Sequence, residues 1–344
     1  MDAKLFESLV STPGISGREE TIREVVKKEI EGLVDEVRID RLGNLIGLRK
    51  GSGSRVMLSA HMDSIGFLVR HIDENGFLRL SPVGGFDPRT LVMQKVLVRG
   101  KKEYLGLVSP QEPPIHKQKK EDRDKAPKLD DLFIDLMVPA EEVKQNVSIG
   151  DPISLYRQPE VTDRAVTAPY LDDRLGVYCV IEALRAAKTS AEIHAVISVQ
   201  EEVGVRGATT SAFELEPDVG IALDVSIAGD TPGIEGHQRG LVQGEGVAIS
   251  VMDSMTISDS RLVKRFQELA DANGIKYQLD ILLGGGTDAG GMQLTKTGVP
   301  VTTIGPPVRY VHTVNEMALI SDIEATVQLL ARFIESAHEL SLEW

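Results

Sequence analysis

Two adjacent glutamates, Glu201 and Glu202, follow the apolar run Ile193-His194-Ala195-Val196-Ile197-Ser198-Val199 and its trailing Gln200, and glycines 204 and 207 come directly after. Other segments end in the same manner, on a histidine or a carboxylate. His61-Met62-Asp63 follows the apolar run 55–60, Asp172-Asp173 opens an apolar helical stretch, Asp224 ends the run 219–223, and His312 follows a proline-rich turn. Imidazole nitrogen and carboxylate oxygen are the ligands of zinc and related divalent metals, and a catalytic metal keeps a position open for water. A lone Glu-Glu pair is ordinarily a solvated strand end. Five segments that each deliver such a residue at an element end argue instead for a divalent-metal site.

The elements that must position these residues are read from periodicity. The run before Glu201 is short, β-branched and almost continuously apolar, as in an interior strand of a sheet covered by helices. In such sheets ligands bind outside the carboxyl ends of the strands, and Gly204 and Gly207 allow a sharp turn there. Strands are expected near 36–40, 44–48, 55–60, 191–199, 218–224, 245–251, 276–283 and 299–304. Helices are expected over 17–34, 170–187, 259–273, 288–297 and 319–341, with Ser16 and Glu19 forming a capping box at the first of them. This alternation specifies an α/β fold with a mainly parallel sheet between helices.

After His61 the pattern changes to short alternating strands with a hairpin signal at Asp73-Glu74-Asn75-Gly76 and one short helix near 140–146. Residues 65–162 therefore read as a small all-β, barrel-like domain inserted between catalytic parts 1–64 and 163–344. Within it, the charged stretch 111–128 reads as a solvated loop, or as an assembly contact or entrance cover, and His116 lies there.

The chain of 344 residues exceeds the usual size of one core. A formal net charge of −14, with no basic cluster interleaved with aromatics, argues against nucleic-acid binding. No apolar run reaches the ~20 residues that cross a bilayer, the start lacks a signal-peptide pattern, and Cys179 is the single cysteine, so a cytoplasmic enzyme is expected. A glycosidase with paired acids would be expected to carry aromatic platforms, yet the sole tryptophan is Trp344.

The motifs Ala60-His61-Met62-Asp63-Ser64, Leu171-Asp172-Asp173-Arg174, Glu201-Glu202-Val203-Gly204, Asp224-Val225, Gly229-Asp230-Thr231-Pro232-Gly233, Gly286-Thr287-Asp288-Ala289 and Tyr310-Val311-His312 occur in this order. Together, over nearly the whole chain, they resemble the dinuclear metallo-aminopeptidases that include glutamyl and deblocking aminopeptidases and assemble as tetrahedral dodecamers. The resemblance implies a zinc-exopeptidase-like catalytic domain that removes N-terminal residues from short peptides. It implies two divalent metal ions per subunit, zinc by default, with cobalt or manganese able to support the same geometry. Asp172 would bridge them, His61 and Asp224 would complete one ion's protein ligands, and Glu202 and His312 the other's. Glu201 would be the general base; metal-binding imidazoles usually donate their other N–H to a carboxylate, so the Asp63 carboxylate is expected to orient the His61 ring from behind, or else to be a direct ligand. The inserted domain would mediate self-association into a homododecamer. Ser64 departs from the pattern, standing where an acid is expected, which would alter the rim of the site. A related dinuclear carboxypeptidase or N-acyl amino-acid deacylase is the alternative.

Several residues are left with plainer readings. Asp173 reads as a first-turn helix acid or a partner of Arg174, and Asp288 as a helix acid or a neighbour of the substrate. His71, His194, His237 and His338 read as structural or solvated. The preferred N-terminal residue stays open, because Arg206, Arg239 and Arg309 could each be structural or could recognise an acidic side chain.

Overall fold

The amphipathic spacing of Leu5, Phe6, Leu9 and Val10 makes an opening helix, α1 (Ala3–Ser11), capped by the Asp2 carboxylate. Helix α2 (Glu20–Ile30) begins later than the capping-box reading expects, because both capping side chains are used elsewhere. The Ser16 hydroxyl donates to Asp63, and Glu19 turns back to accept from the Gly17 amide. Strands β1 (Glu36–Ile39), β2 (Leu45–Arg49) and the buried β3 (Arg55–His61) follow, and β3 delivers His61. The structure is a computed structural model that describes residues 1–120 and 125–340. Positions 121–124 of the charged loop and Trp344 lie outside the described residues.

The chain next forms a closed barrel from β4 (Gly66–Ile72), β5 (Leu78–Val83), β6 (Lys95–Arg99), β7 (Glu103–Pro110), β8 (Leu132–Asp135) and β9 (Pro152–Leu155), in the order β4-β5-β8-β7-β6-β9. Alternate residues such as Phe67, Val69, Leu78, Leu80, Val96 and Val98 point inward to a core of its own, as a period-2 pattern requires. Helix α3 (Ala140–Asn146) packs its Val143 against this core.

The remaining elements are β10 (Glu160–Val161), β11 (Ala165–Ala168), α4 (Leu171–Ala186), β12 (Glu192–Ser198), α5 (Arg206–Leu215), β13 (Val219–Leu223), β14 (Ser226–Ile227), β15 (Val247–Met252), α6 (Ser260–Asn273), β16 (Tyr277–Ile281), α7 (Asp288–Gln293), β17 (Val301–Gly305), β18 (Pro307–Arg309), β19 (Glu316–Leu319) and α8 (Ile320–Ser336). Among the described residues they complete an eight-stranded sheet, β1-β2-β12-β3-β13-β17-β15-β16, and a small five-stranded sheet, β10-β11-β19-β18-β14. The centre of the large sheet is parallel, with β12, β13 and β17 all running with β3. Their carboxyl ends therefore meet at one edge, the place where such sheets bind ligands.

Helix α5 is absent from the periodicity reading. Its buried face is made of Gly207, Ala208, Ser211, Ala212 and Leu215, mostly side chains too small or polar to register as an apolar stripe. A side chain at Gly207 would meet Asn44 Oδ1 at 2.3 Å and the Val199 carbonyl at 2.4 Å, so α5 and β12 approach as only glycine allows. The fully buried Asn44 fixes this junction. Its Oδ1 accepts from the Val199 amide at 2.9 Å, and its Nδ2 donates to Asp40 and to the Gly207 carbonyl.

Asn44→Ala leaves the Val199 amide buried without a partner, a loss worth about 1–3 kcal/mol, and removes one of the donors to the Gly207 carbonyl. We expect a loss of unfolding free energy of about 2 kcal/mol or more in denaturant titrations. A change below about 0.5 kcal/mol would contradict the role given to this side chain.

Candidate metal centre

Each candidate ligand arrives on a different element. His61 ends β3, Glu201 and Glu202 follow β12, Asp224 follows β13, Asp172 lies at the start of α4, and His312 lies between β18 and β19. The start of α4 is not regular helix: Asp172 and Asp173 have non-helical backbone angles, which turns Asp172 away from the helix body. Its Oδ1 lies 3.1 Å from His61 Nε2 and its Oδ2 lies 3.3 Å from His312 Nε2. One carboxylate thus faces two imidazoles, one with each oxygen. His312 Nε2 also lies 3.4 Å from Glu202 Oε2, and His61 Nε2 lies 3.8 Å from Glu201 Oε2. Ligand atoms of His61, Asp172 and Glu202 fall within 4.8 Å of one another, as do those of His61, Asp173 and Asp224.

The donor set fits divalent cations. It is purely imidazole and carboxylate, His61 and Asp224 are buried, and Glu202 Oε1 has no hydrogen-bond partner. Its electrostatics demand positive charge. Burial, with Asp224, Asp288 and Glu202 adding to it, holds Glu201 well above the usual carboxylate range, and burial with Asp173 and Asp172 does the same to Asp224. Burial opposes protonation of His312, but Asp172 and Glu202 outweigh it and push its pKa up to about 11. Burial likewise works against His61, and Glu201, Asp172 and Asp63 together raise it well above its ordinary value.

The supporting residues explain how these side chains are held. His61 Nδ1 lies 3.0 Å from the main-chain carbonyl of Asp63, against 3.6 Å for the Asp63 carboxylate. A carbonyl can only accept, so Nδ1 donates there, which leaves Nε2 as the nitrogen that faces the cleft and would bind a metal. The Asp63 carboxylate does other work: it accepts from the Glu201 amide at 3.0 Å, the Glu202 amide at 3.3 Å and the Ser16 hydroxyl at 2.6 Å. Glu316, which the sequence reading leaves unremarked, is buried and accepts from the His312 amide at 2.7 Å and the Asp172 amide at 2.9 Å. It ties together the two residues that face each other across the centre. The only signal in the sequence is an acid four residues after His312.

Of the remaining candidates, Asp173 shares one cluster of potential ligand atoms with His61 and Asp224, and the others fall outside both clusters. Asp173 accepts from the amides of Gly176 and His61, while Arg174 donates to the carbonyls of Leu9 and Thr12 and not to Asp173. Asp288 lies beneath the strand ends and accepts at 2.6 Å from the hydroxyls of both Ser59 and Ser198. Ser64 is buried, and its hydroxyl donates to the Gly14 carbonyl, away from the cleft rim. His194 pairs with Glu192, and His71, His116, His237 and His338 lie on the surface.

The family profile described as M42 glutamyl aminopeptidase matches residues 43–329. A putative aminopeptidase of Acetivibrio thermocellus is 41% identical over 332 residues, covering 96% of this chain and 97% of that one. The lysyl aminopeptidase of Pyrococcus furiosus is 33% identical, covering 97% of each chain. Among solved structures, the Pyrococcus horikoshii TET1 peptidase, which can assemble into a tetrahedron or a large octahedral shell, matches with a TM-score of 0.87 at 30% identity, covering 96% of this chain and 98% of that one.

Two measurements check the geometry. Glu316→Gln cannot accept from both amides, and we expect zinc affinity to fall about 10- to 100-fold with the circular dichroism spectrum unchanged; unchanged affinity would remove Glu316 from the centre. Secondly, His312, at a pKa of about 11, is protonated near neutral pH but must be neutral as a ligand, so metal loading releases protons and apparent affinity rises with pH. Titration calorimetry in buffers of different ionisation heat should give different apparent heats. Equal heats would contradict the assignment.

Proposed function

The chain belongs to the M42 glutamyl aminopeptidase family and is a metal-dependent aminopeptidase, and we propose that it removes N-terminal residues from short peptides with two metal ions and Glu201 as general base. The observation that carries this reading is Asp172, whose two oxygens face His61 and His312 from opposite sides. Asp172 would hold both ions, with His61 and Asp224 holding one of them and Glu202 and His312 the other. Zinc is the default for this donor set, with cobalt or manganese compatible. Bound there, the ions would polarise the scissile carbonyl and lower the pKa of a coordinated water.

The chain's own residues supply the rest. Glu201 reaches the cleft beside His61 and takes the proton of the attacking water, then passes it to the departing amine. Asp63 fixes Glu201 through its main-chain amide, so the carboxylate is aimed without its oxygens being used. The acid-lined floor attracts a free N-terminal ammonium and gives an acylated terminus no charge to match. Among the described residues lining the cleft there is no lysine or arginine, which leaves a substrate's C-terminal carboxylate without a partner and disfavours the carboxypeptidase and deacylase alternative.

We further propose self-association through the inserted 65–162 domain into a closed homododecameric shell, acting on peptides in the cytoplasm. The barrel's exposed Met93, Met137 and Ile149 support this, and among the described residues no helix is long and apolar enough to cross a membrane.

Glu201→Gln should keep its metal content while peptide hydrolysis falls about 10²- to 10⁴-fold. Release of residues from free amino termini, with N-acetylated peptides left intact, is expected; release from the carboxyl end would overturn the assignment. Sedimentation velocity should give a dodecamer-sized particle that Ile149→Asp disrupts, and a native monomer would refute the shell.

A further inference from the structure

Ile227 and Met255 are large apolar side chains about half exposed, at 51% and 47%, and both line the cleft that holds the metal centre. Val225, Leu282 and Val311 join them, and Gly284–Gly286 contribute no side chain that could fill the space. The cleft measures about 420 Å³, within the range of small-ligand sites. We propose that this wall is the pocket for the substrate's N-terminal side chain, that it selects residues of the leucine and methionine class, and that Ile227 and Met255 are its specificity-determining residues. The proposal rests on the aminopeptidase reading.

The wall is built, not incidental. Asp253 Oδ1 accepts from the amides of Met255 and Thr256, both at 2.7 Å, which fixes the turn carrying Met255. The next loop is tied to the same turn, because the Ser254 amide and hydroxyl both donate to the Gly285 carbonyl. Met255 lies so close over Gly286 that an added Cβ would meet its sulfur at 2.5 Å. Ile227 is held in β14 by pairing with Val308 of β18.

Charge excludes the alternatives. An N-terminal glutamate needs a cation, and among the described residues no lysine or arginine lines the cleft; Arg309 makes two bonds to Asp230, at 2.6 and 2.5 Å, and Arg206 donates to Gln200. A lysine needs a carboxylate of its own, but the acids lining the cleft, Asp172, Glu201, Glu202 and Asp224, are those of the metal centre. Either charge would be buried against apolar carbon without a partner, which is costly.

The test is kcat/KM for the 4-nitroanilides of leucine, methionine, alanine, glutamate and lysine with the zinc-loaded full chain. Leucine and methionine should exceed alanine by about tenfold or more, since each methylene fitted into an apolar pocket discriminates by about 10- to 200-fold, and should exceed glutamate and lysine further. Ile227→Arg should cut leucine turnover at least about tenfold, raise glutamate turnover and leave the zinc content unchanged. Met255→Ala, which needs no new charge, should narrow the ratio of leucine to alanine even if Ile227→Arg fails to fold. Glutamate or lysine as the best substrate, equal rates for all, or an unchanged leucine-to-alanine ratio in Met255→Ala would overturn the pocket assignment. Failure on every free aminoacyl anilide, with turnover of N-acyl amino acids, would instead sink the aminopeptidase reading beneath it.

Discussion

Negative charge buried at the carboxyl edge of a parallel sheet is the constraint on which the rest of this structure depends. Asp172, Glu201, Glu202 and Asp224 crowd around two imidazoles in the cleft, and carboxylates so placed repel one another unless cations join them. The supporting residues intensify that demand, because the groups that hold the ligands' main chains are themselves acids, Asp63 and Glu316. A neutral support would fix the same amides with less negative potential. Fixed acids behind acidic side chains make a site that favours multiply charged cations over monovalent ions. Its backbone amides, pointed at Asp63 and Glu316, return part of the stabilisation that burial removes.

What could be read from the sequence follows from how local each signal is. A strand buried on both faces must be apolar along its length, so the runs ending at His61, Val199 and Leu223 announce themselves, and the charged residue after each marks the edge of the sheet. Parallel pairing then brings distant sequence positions side by side, as the register of Ser198 with His61 shows. The barrel is legible for the same reason, since a half-buried strand alternates. Helix α5 is not, because its contact with β12 is too close for large side chains. The five-stranded sheet is also missed, since β10 and β14 have two residues each, too few for any period to emerge. Glu316 and the main-chain role of Asp63 escape for a different reason: they depend on which amides lie nearby, and that is a property of tertiary structure alone.

The barrel is more than an appendage to the α/β layer. The turn leaving β5 passes so close to the centre that a Cβ on Gly84 would lie 3.3 Å from Glu202 Oε2 and one on Gly85 would lie 3.5 Å from His312 Nδ1. Gly84 also has φ of +86°, which a side chain would strain. Bare backbone from the inserted domain thus forms part of the cleft wall. Any shift of the barrel against the sheet moves that wall relative to Glu202 and His312, so the position of the barrel and the shape of the site are mechanically linked.

Backbone strain is concentrated in the same place. Tyr170, Gln200, Val205, Tyr310 and His312 all adopt positive φ without being glycine, and each lies within a few residues of a candidate ligand or is one. Val205 is β-branched, for which that region is especially unfavourable. Conformations of this kind cost about 1–3 kcal/mol each and persist where surrounding contacts over-determine them. Those contacts are identifiable here: Glu316 holds the amide of His312, and Asn44 and Asp63 hold the segment on either side of Gln200. The same hydrogen bonds that aim the ligands keep the strained turns from relaxing. Ligand geometry and local stability therefore reside in one set of buried polar contacts, and a substitution in that set perturbs both together.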